Sequence, residues 1–289
     1  MKPASLINAA ALLGTDTAAR AAVSVTPAPR WDPRLYQIAT LVGLLGYGVV
    51  WLDLEVQAET AVAIVVTALV AQLASTRLTA RRRFDPRSAL ISALSLCLLL
   101  RTGSLGLAIL AAGVAIASKF TLRVRDKHVF NPTNFALVAM MLATGEVWVS
   151  PGQWGSGLVF AFLLASAGGL VVNRAARADV TLAFLASWAS LLVAHSLWLG
   201  EPLAIAVHRL ENGALVLFAF FMISDPRTTP DSRGGRVLFA TLVALGAYAV
   251  QFKLFRTNGL LWSLAVCSLL VPLIDRVLPG SRYQWRRSP

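Results

Sequence analysis

Three short stretches of this 289-residue sequence set amide, hydroxyl and charged side chains close enough together to do chemistry: Asn131-Pro132-Thr133-Asn134, Asp225-Pro226-Arg227-Thr228 and Thr257-Asn258. Asn and Thr oxygens can coordinate an ion or accept hydrogen bonds from a small solute. Asp225 with Arg227, Arg233 and Arg236 could form an ion-pair cluster or hold a phosphate or the edge of an isoalloxazine ring. Each stretch also has a plainer reading, as a helix N-cap in the first and third and as a Pro-stiffened turn docking two helices in the second. Other chemistries lack their residues. The sequence has no Walker loop, no Gly-rich dinucleotide fingerprint and no His/Cys/Asp spacing for a metal. Cys97 and Cys267 each fall in an apolar run, so inert buried thiols are expected.

The elements that must position these residues are membrane helices. A chain that is 57% hydrophobic and only 14% charged is not a soluble enzyme, and its apolar runs approach the length that crosses a bilayer. Ten such runs are expected, at 35–52, 59–76, 88–100, 104–118, 134–149, 156–173, 180–199, 210–224, 237–252 and 259–274. The third and fourth are short and separated only by Arg101-Thr102-Gly103, so they read as two crossings, a re-entrant pair or one fused helix. Charge decides the parity. With ten crossings and both termini cytoplasmic, 22 of the 26 Lys and Arg residues fall in inner segments, as the positive-inside rule requires.

The net charge of +12 is therefore a product of topology beside anionic lipid, and a nucleic-acid partner is excluded. Basic runs at 81–83 and 123–125 fit the same account, and Trp148, Trp154, Trp198 and Trp262 are expected at interfaces. Residues 1–34 read as a polar cytoplasmic arm without a signal-peptide core, and 276–289 as a cytoplasmic tail. Among polar groups within the apolar runs, His195 is expected near an outer end, with Asn212 at the start of the eighth run.

An internal repeat organises the rest. The run from Leu100 to Phe120 has the shape of the run from Gly235 to Leu254, and both are followed by a Phe…Thr-Asn element, at Phe130 to Asn134 and Phe255 to Asn258. The fifth run starts from inside and the tenth from outside, which is the arrangement of a five-plus-five inverted repeat with halves at 35–155 and 156–275. The expected fold is all-α and polytopic. In such folds the site lies where the halves meet, so Asn131, Pro132, Thr133, Asn134, Asp225, Arg227, Thr228, Thr257 and Asn258 are the candidate cofactor-binding or pore-lining residues.

Lys127-His128-Val129-Phe130-Asn131-Pro132-Thr133-Asn134-Phe135 is similar to the K-H-x-F-N-P-[AT] element of the NqrB/RnfD membrane electron-transport subunits. Phe220 through Pro230, followed by Gly234-Gly235-Arg236, resembles that family's F-F-M-x-[TS]-D-P-x-[TS]-x-P…G-R. Val271-Pro272-Leu273-Ile274-Asp275 resembles its V-P-L-I-D ending. A narrower likeness, through Asp32 to Ala39 and Trp51-Leu52-Asp53, is to the stand-alone UnbU branch encoded beside enediyne biosynthesis genes. The resemblance implies a bacterial-type inner (plasma) membrane protein that passes electrons, works with other membrane redox subunits and binds flavin. The family's Ser-Gly-Ala-Thr element, whose threonine bears FMN, is absent. Covalent FMN is therefore not expected, while riboflavin or FMN held non-covalently is. The rival expectation is a channel or transporter for an ion, small solute or natural product that kept the scaffold without the cofactor.

Overall fold

The structure, a computed structural model, describes residues 32–79, 84–150 and 177–283. The sixth expected run, the arm to Trp31, the basic run at 81–83 and Trp154 lie outside the described residues. The chain is helical, with strand confined to one two-stranded hairpin among the described residues.

The first half runs α1 (Pro33–Trp51), α2 (Ala58–Thr79), α3 (Pro86–Leu99), α4 (Leu105–Thr121), the hairpin β1 (Arg123–Val124) and β2 (Lys127–His128), then α5 (Pro132–Thr144). The second runs α6 (Ala178–Leu199), α7 (Leu203–Leu210), α8 (Gly213–Leu217) with a π-helical turn over Phe218–Met222, α9 (Arg233–Tyr248) with a π-helical turn over Ala249–Lys253, α10 (Gly259–Ser268) and α11 (Val271–Val277). Among the described residues, side chains accept first-turn amides at four helix starts, Ser104, Asn131, Asn212 and Ser232. Pro stands in the first turn of α3, α5 and α11, where its missing N–H costs nothing.

Among the described residues, three helices are long and apolar enough to cross a membrane, Ala58–Thr79, Ala178–Leu199 and Arg233–Lys253. There are five if the bent pairs Leu203–Leu210 with Gly213–Met222 (53°) and Gly259–Ser268 with Val271–Val277 (51°) each count as one span. The expected eighth run starts differently from the sequence reading: an amphipathic α7 occupies residues expected to be loop, and the chain turns at Asn212, whose carboxamide caps α8. The expected tenth run breaks ahead of Pro272, which cannot donate to the preceding turn.

The helix surfaces are those of a protein in lipid. On α2, Val62, Val66 and Val70 are more than half exposed, while Ile64, Ala68, Gln72 and Thr76 on the opposite stripe are buried. Valines face outward and, Ile64 apart, small or polar groups face inward, which suits a hydrocarbon solvent and lets helices approach closely. The same logic holds at Gly246 on α9, where an added Cβ would come within 2.4 Å of Ser263 Oγ on α10. Both cysteines are free and buried.

The most extensive contacts of the first half are of α2 with α4, with α4 also packing on α5. In the second half α6 packs most extensively on α9, and α9 on α10. One continuous apolar core, from Leu41 to Ile274, runs through both, and α5 lies against α10 where they meet.

Candidate functional site

At one end of the bundle the three motif segments converge. The hairpin turns through Arg125 and Asp126, both with positive φ (50° and 64°), the backbone of a two-residue hairpin loop. It pairs Val124 with Lys127 and so carries Lys127 across the chain onto the second half. There Lys127 Nζ lies 3.0 Å from Asp231 Oδ1 and 2.7 Å from Asp275 Oδ2, while the Asp231 amide donates to Asp275 Oδ1 at 2.8 Å. All three side chains are largely shielded from solvent. One lysine thus ties together residues 104 and 148 positions away.

A second ion pair adjoins it. Arg236 in the first turns of α9 forks onto Asp179 of α6, with Nε 2.9 Å and Nη2 2.5 Å from Asp179 Oδ2, and gives its other nitrogen to the Asp231 carbonyl at 2.8 Å. Beyond it, buried Lys119 donates to the Ser88 carbonyl at 2.7 Å and hydroxyl at 3.2 Å, and Arg34 pairs with Asp85 at 2.5 Å.

The Asp225 turn forms the wall of this end. Its carboxylate accepts from the Arg227 amide at 3.0 Å, and its carbonyl accepts from the amides of Thr228 and Thr229, both at 3.1 Å. Burial pushes the Asp225 carboxyl above the ordinary carboxylate range, against the lowering influence of the Arg227 amide and of the Arg227, Lys119 and Arg177 charges. Arg177, which precedes α6, is lowered by burial and then by the neighbouring Arg236 charge.

A cavity of about 400 Å³ opens between the hairpin and α11. Val124, Val129, Val271 and Pro272 give it apolar walls, and Lys127, Asp231 and Asp275 line its polar side. Gly280 crosses beside it so closely to the Asp231-Ser232 peptide that an added Cβ would come within 2.5 Å of the Ser232 nitrogen.

The residues singled out in the sequence divide between three places. Asn131 caps α5 through the Asn134 amide at 3.1 Å, and its own amide reaches the Met222 carbonyl at 3.4 Å, just ahead of the Asp225 turn. Pro132 and Thr133 are buried beside it, with Thr133 donating to the Ser92 carbonyl at 3.4 Å. Asp225, Arg227 and Thr228 therefore share an end with Asn131. Asn134 lies deeper, donating to the Leu261 carbonyl of α10 at 3.1 Å. Asn258 precedes α10 in a left-handed conformation (φ 60°) and caps nothing; its amide reaches back to the Val149 carbonyl at 3.3 Å. Asn134 and Asn258 thus bracket the α5 and α10 contact from opposite ends, and each keeps a buried Oδ1 without a hydrogen-bond partner. Thr257, next to Asn258, is exposed.

At the opposite end His195 Nδ1 meets the Tyr248 hydroxyl at 2.8 Å, beside Phe252 and the Arg209 to Glu201 pair. Lys127, Asp231 and Asp275 were not among the candidate residues of the sequence. The signal was present, since Lys127 opens one motif, Asp275 closes another and Asp231 immediately follows the third. Asp179 carried no such signal.

Residues 134–284 match the family model described as the NQR2, RnfD, RnfE family. The chain is 31% identical over 128 residues to a protein of Escherichia coli O9:H4 named as a subunit of the ion-translocating oxidoreductase complex, an alignment covering 44% of this chain and 32% of that protein. It is 27% identical over 106 residues to the protein of the same name from Haemophilus influenzae (37% and 29%), and 35% identical over 77 residues to that of Tolumonas auensis (26% and 22%). The chain thus spans about a third or less of the length of these curated relatives. The family match begins at Asn134, takes in the Asp225 turn, the Arg236 fork and the Asp231 and Asp275 carboxylates, and covers more than half of the sequence. The chain, a multi-pass membrane protein, belongs to the NQR2, RnfD, RnfE family.

Proposed function

We propose that the protein is a membrane electron-transport subunit that holds a flavin non-covalently in the cavity between the hairpin and α11. The observation that carries this reading is the Lys127, Asp231 and Asp275 network, which draws the three motif segments to one cavity. The residues fit the group. A volume of about 400 Å³ lies within the usual range of small-molecule sites. Its valine and proline walls suit the faces of a planar ring, and Arg125, Arg276 and His128 stand where an electron-rich edge needs donors. A bound flavin would supply one- and two-electron transfer. The chain's part is to exclude water with the apolar walls and to hold its own charges fixed, Lys127 between two carboxylates, so that the site does not rearrange when the ring gains charge.

The wider reading rests on the same residues. The relatives are named as subunits of an ion-translocating oxidoreductase complex, which supports other membrane redox subunits as partners. The like packing of α2 on α4 and α6 on α9 supports a ten-span, five-plus-five inverted repeat, with halves at 35–155 and 156–275, in an inner (plasma) membrane with both termini cytoplasmic. The orphaned Asn134 and Asn258 oxygens at the α5 and α10 contact are then the polar groups available to an ion coupled to electron flow. The opening residues Asp32 to Ala39 support the UnbU-type branch and its link to enediyne biosynthesis.

The test is colour. Full-length protein purified in mild detergent should absorb in the flavin bands. On denaturation the chromophore should pass through a filter, leaving no fluorescent band on a gel, since no Ser-Gly-Ala-Thr element is present. A band that survives denaturation would overturn the non-covalent reading. A colourless preparation that moves solute in proteoliposomes would overturn the redox reading in favour of a channel or transporter.

A further inference from the structure

A second cavity of about 560 Å³ shares Asp231, Gly280 and Arg282 with the first but has a different character. Its charged lining is four arginines, Arg177, Arg233, Arg236 and Arg282, against the single carboxylate of Asp231. These charges do not cancel. Asp231 is engaged by Lys127 at 3.0 Å, and Arg236 is matched by Asp179. Arg282 donates to the Arg125 carbonyl, a neutral acceptor, and neither Arg282 nor Arg233 reaches a carboxylate among the described residues. Arg233 and Arg282 thus face this concavity without a carboxylate of their own among the described residues.

The helix beside them adds charge of the same sign. α9 begins at Arg233, and its cap Ser232, itself part of the lining, satisfies the Gly235 amide. The N-terminus of a helix is its positive end and favours acidic side chains, yet the first turn of α9 has none and starts with an arginine. Cations placed there are unfavourable unless an anion joins them. Arginine forks beside a helix N-terminus are the donor set that phosphoryl oxygens satisfy, by bidentate pairing and by first-turn amides.

We propose that this cavity binds a phosphoryl anion, presented either by a soluble phosphorylated compound or by the headgroup of a lipid such as phosphatidic acid. The site is independent of the flavin reading, because a colourless protein would bind phosphate here equally well.

The experiment places the full-length chain in nanodiscs of phosphatidylcholine and follows thermal unfolding while inorganic phosphate replaces chloride at constant ionic strength. A parallel series uses discs doped with phosphatidic acid. A saturable rise in Tm with phosphate in the neutral discs assigns a soluble source, and a rise only with phosphatidic acid assigns a lipid headgroup. In either case Arg233→Gln with Arg282→Gln should weaken the apparent affinity by about tenfold or more, the effect of removing charged hydrogen bonds. Arg233→Gln alone, which breaks no hydrogen bond described in the structure, should weaken it several-fold and leaves the test intact if the double variant misfolds. Arg77→Gln, on α2 and outside the cavity lining, should leave it unchanged. No saturable rise with either probe, or a rise of the same midpoint in Arg233→Gln, overturns the proposal.

Discussion

Lys127 sits between two aspartates that would otherwise face each other, since the Asp231 amide already leans on Asp275. Replacing it with Met removes the cation and keeps the stem, leaving two shielded carboxylates with no counter-charge. Lys127→Met should therefore destabilise the protein by about 3 kcal/mol, the usual cost of stripping one partner from a buried pair. Reversible unfolding in mixed micelles measures it, and a change within about 0.5 kcal/mol, as expected of a surface pair, would show the network to be ornamental. At this scale the sequence was readable where a side chain acts on its own backbone. Asn131 caps α5 as the Asn-Pro pair implies. It was not readable where pairing depends on how helices lie together. The cluster expected around Asp225 would have taken Arg236, yet Arg236 turns to Asp179, because α6 packs along α9 and brings that carboxylate within 2.9 Å of its Nε. Asn258 likewise resembles a cap in sequence, but its left-handed backbone turns the carboxamide away to Val149.

Among the elements, the α9 and α10 contact shows how close approach depends on small residues. Ser263 donates to the Val243 carbonyl at 2.7 Å in the space left by Gly246. Gly246→Ala should push that hydroxyl aside and cost about 1 kcal/mol despite the better helix propensity of Ala. Gly113→Ala on α4, where a new Cβ would meet nothing within 4 Å, should be neutral or stabilising. The cause is checked by a double-mutant cycle: if the loss runs through the hydroxyl, Gly246→Ala should cost little in a Ser263→Ala background, whereas full additivity would point to backbone displacement instead. Apolar runs located α1 to α6 and α9 within a few residues, because burial in lipid leaves a continuous signal. They missed α7, whose Leu203, Ile205 and Val207 alternate with smaller and polar residues over only eight positions. They also merged α10 with α11, since hydropathy does not register the break ahead of Pro272.

For the whole molecule, segments expected on one side of the membrane do meet one another. Arg34 finds Asp85, Lys127 finds Asp231 and Asp275, and Arg282 finds Arg125, while Arg101 pairs with Trp148 and Asn258 with Val149 among the segments expected on the other. A reporter fused after Pro289 should accordingly be active only in the cytoplasm, and one inserted at Gly152 only outside. The reverse pattern at Pro289 would require an odd number of crossings. Two short helices also bear on how the chain is made. α3 and α4 have 14 and 17 residues, roughly 21 and 26 Å, each short of a bilayer core of about 30 Å. Between them Arg101 lies buried, its guanidinium held by the carbonyls of Cys97, Leu98 and Leu100. Each helix alone is a short signal for the insertion machinery, and an arginine entering unmasked between them opposes transfer. Once the turn has closed over Arg101 that opposition disappears, so the pair is expected to leave the translocon together, as a preformed hairpin, after α4 has been synthesised.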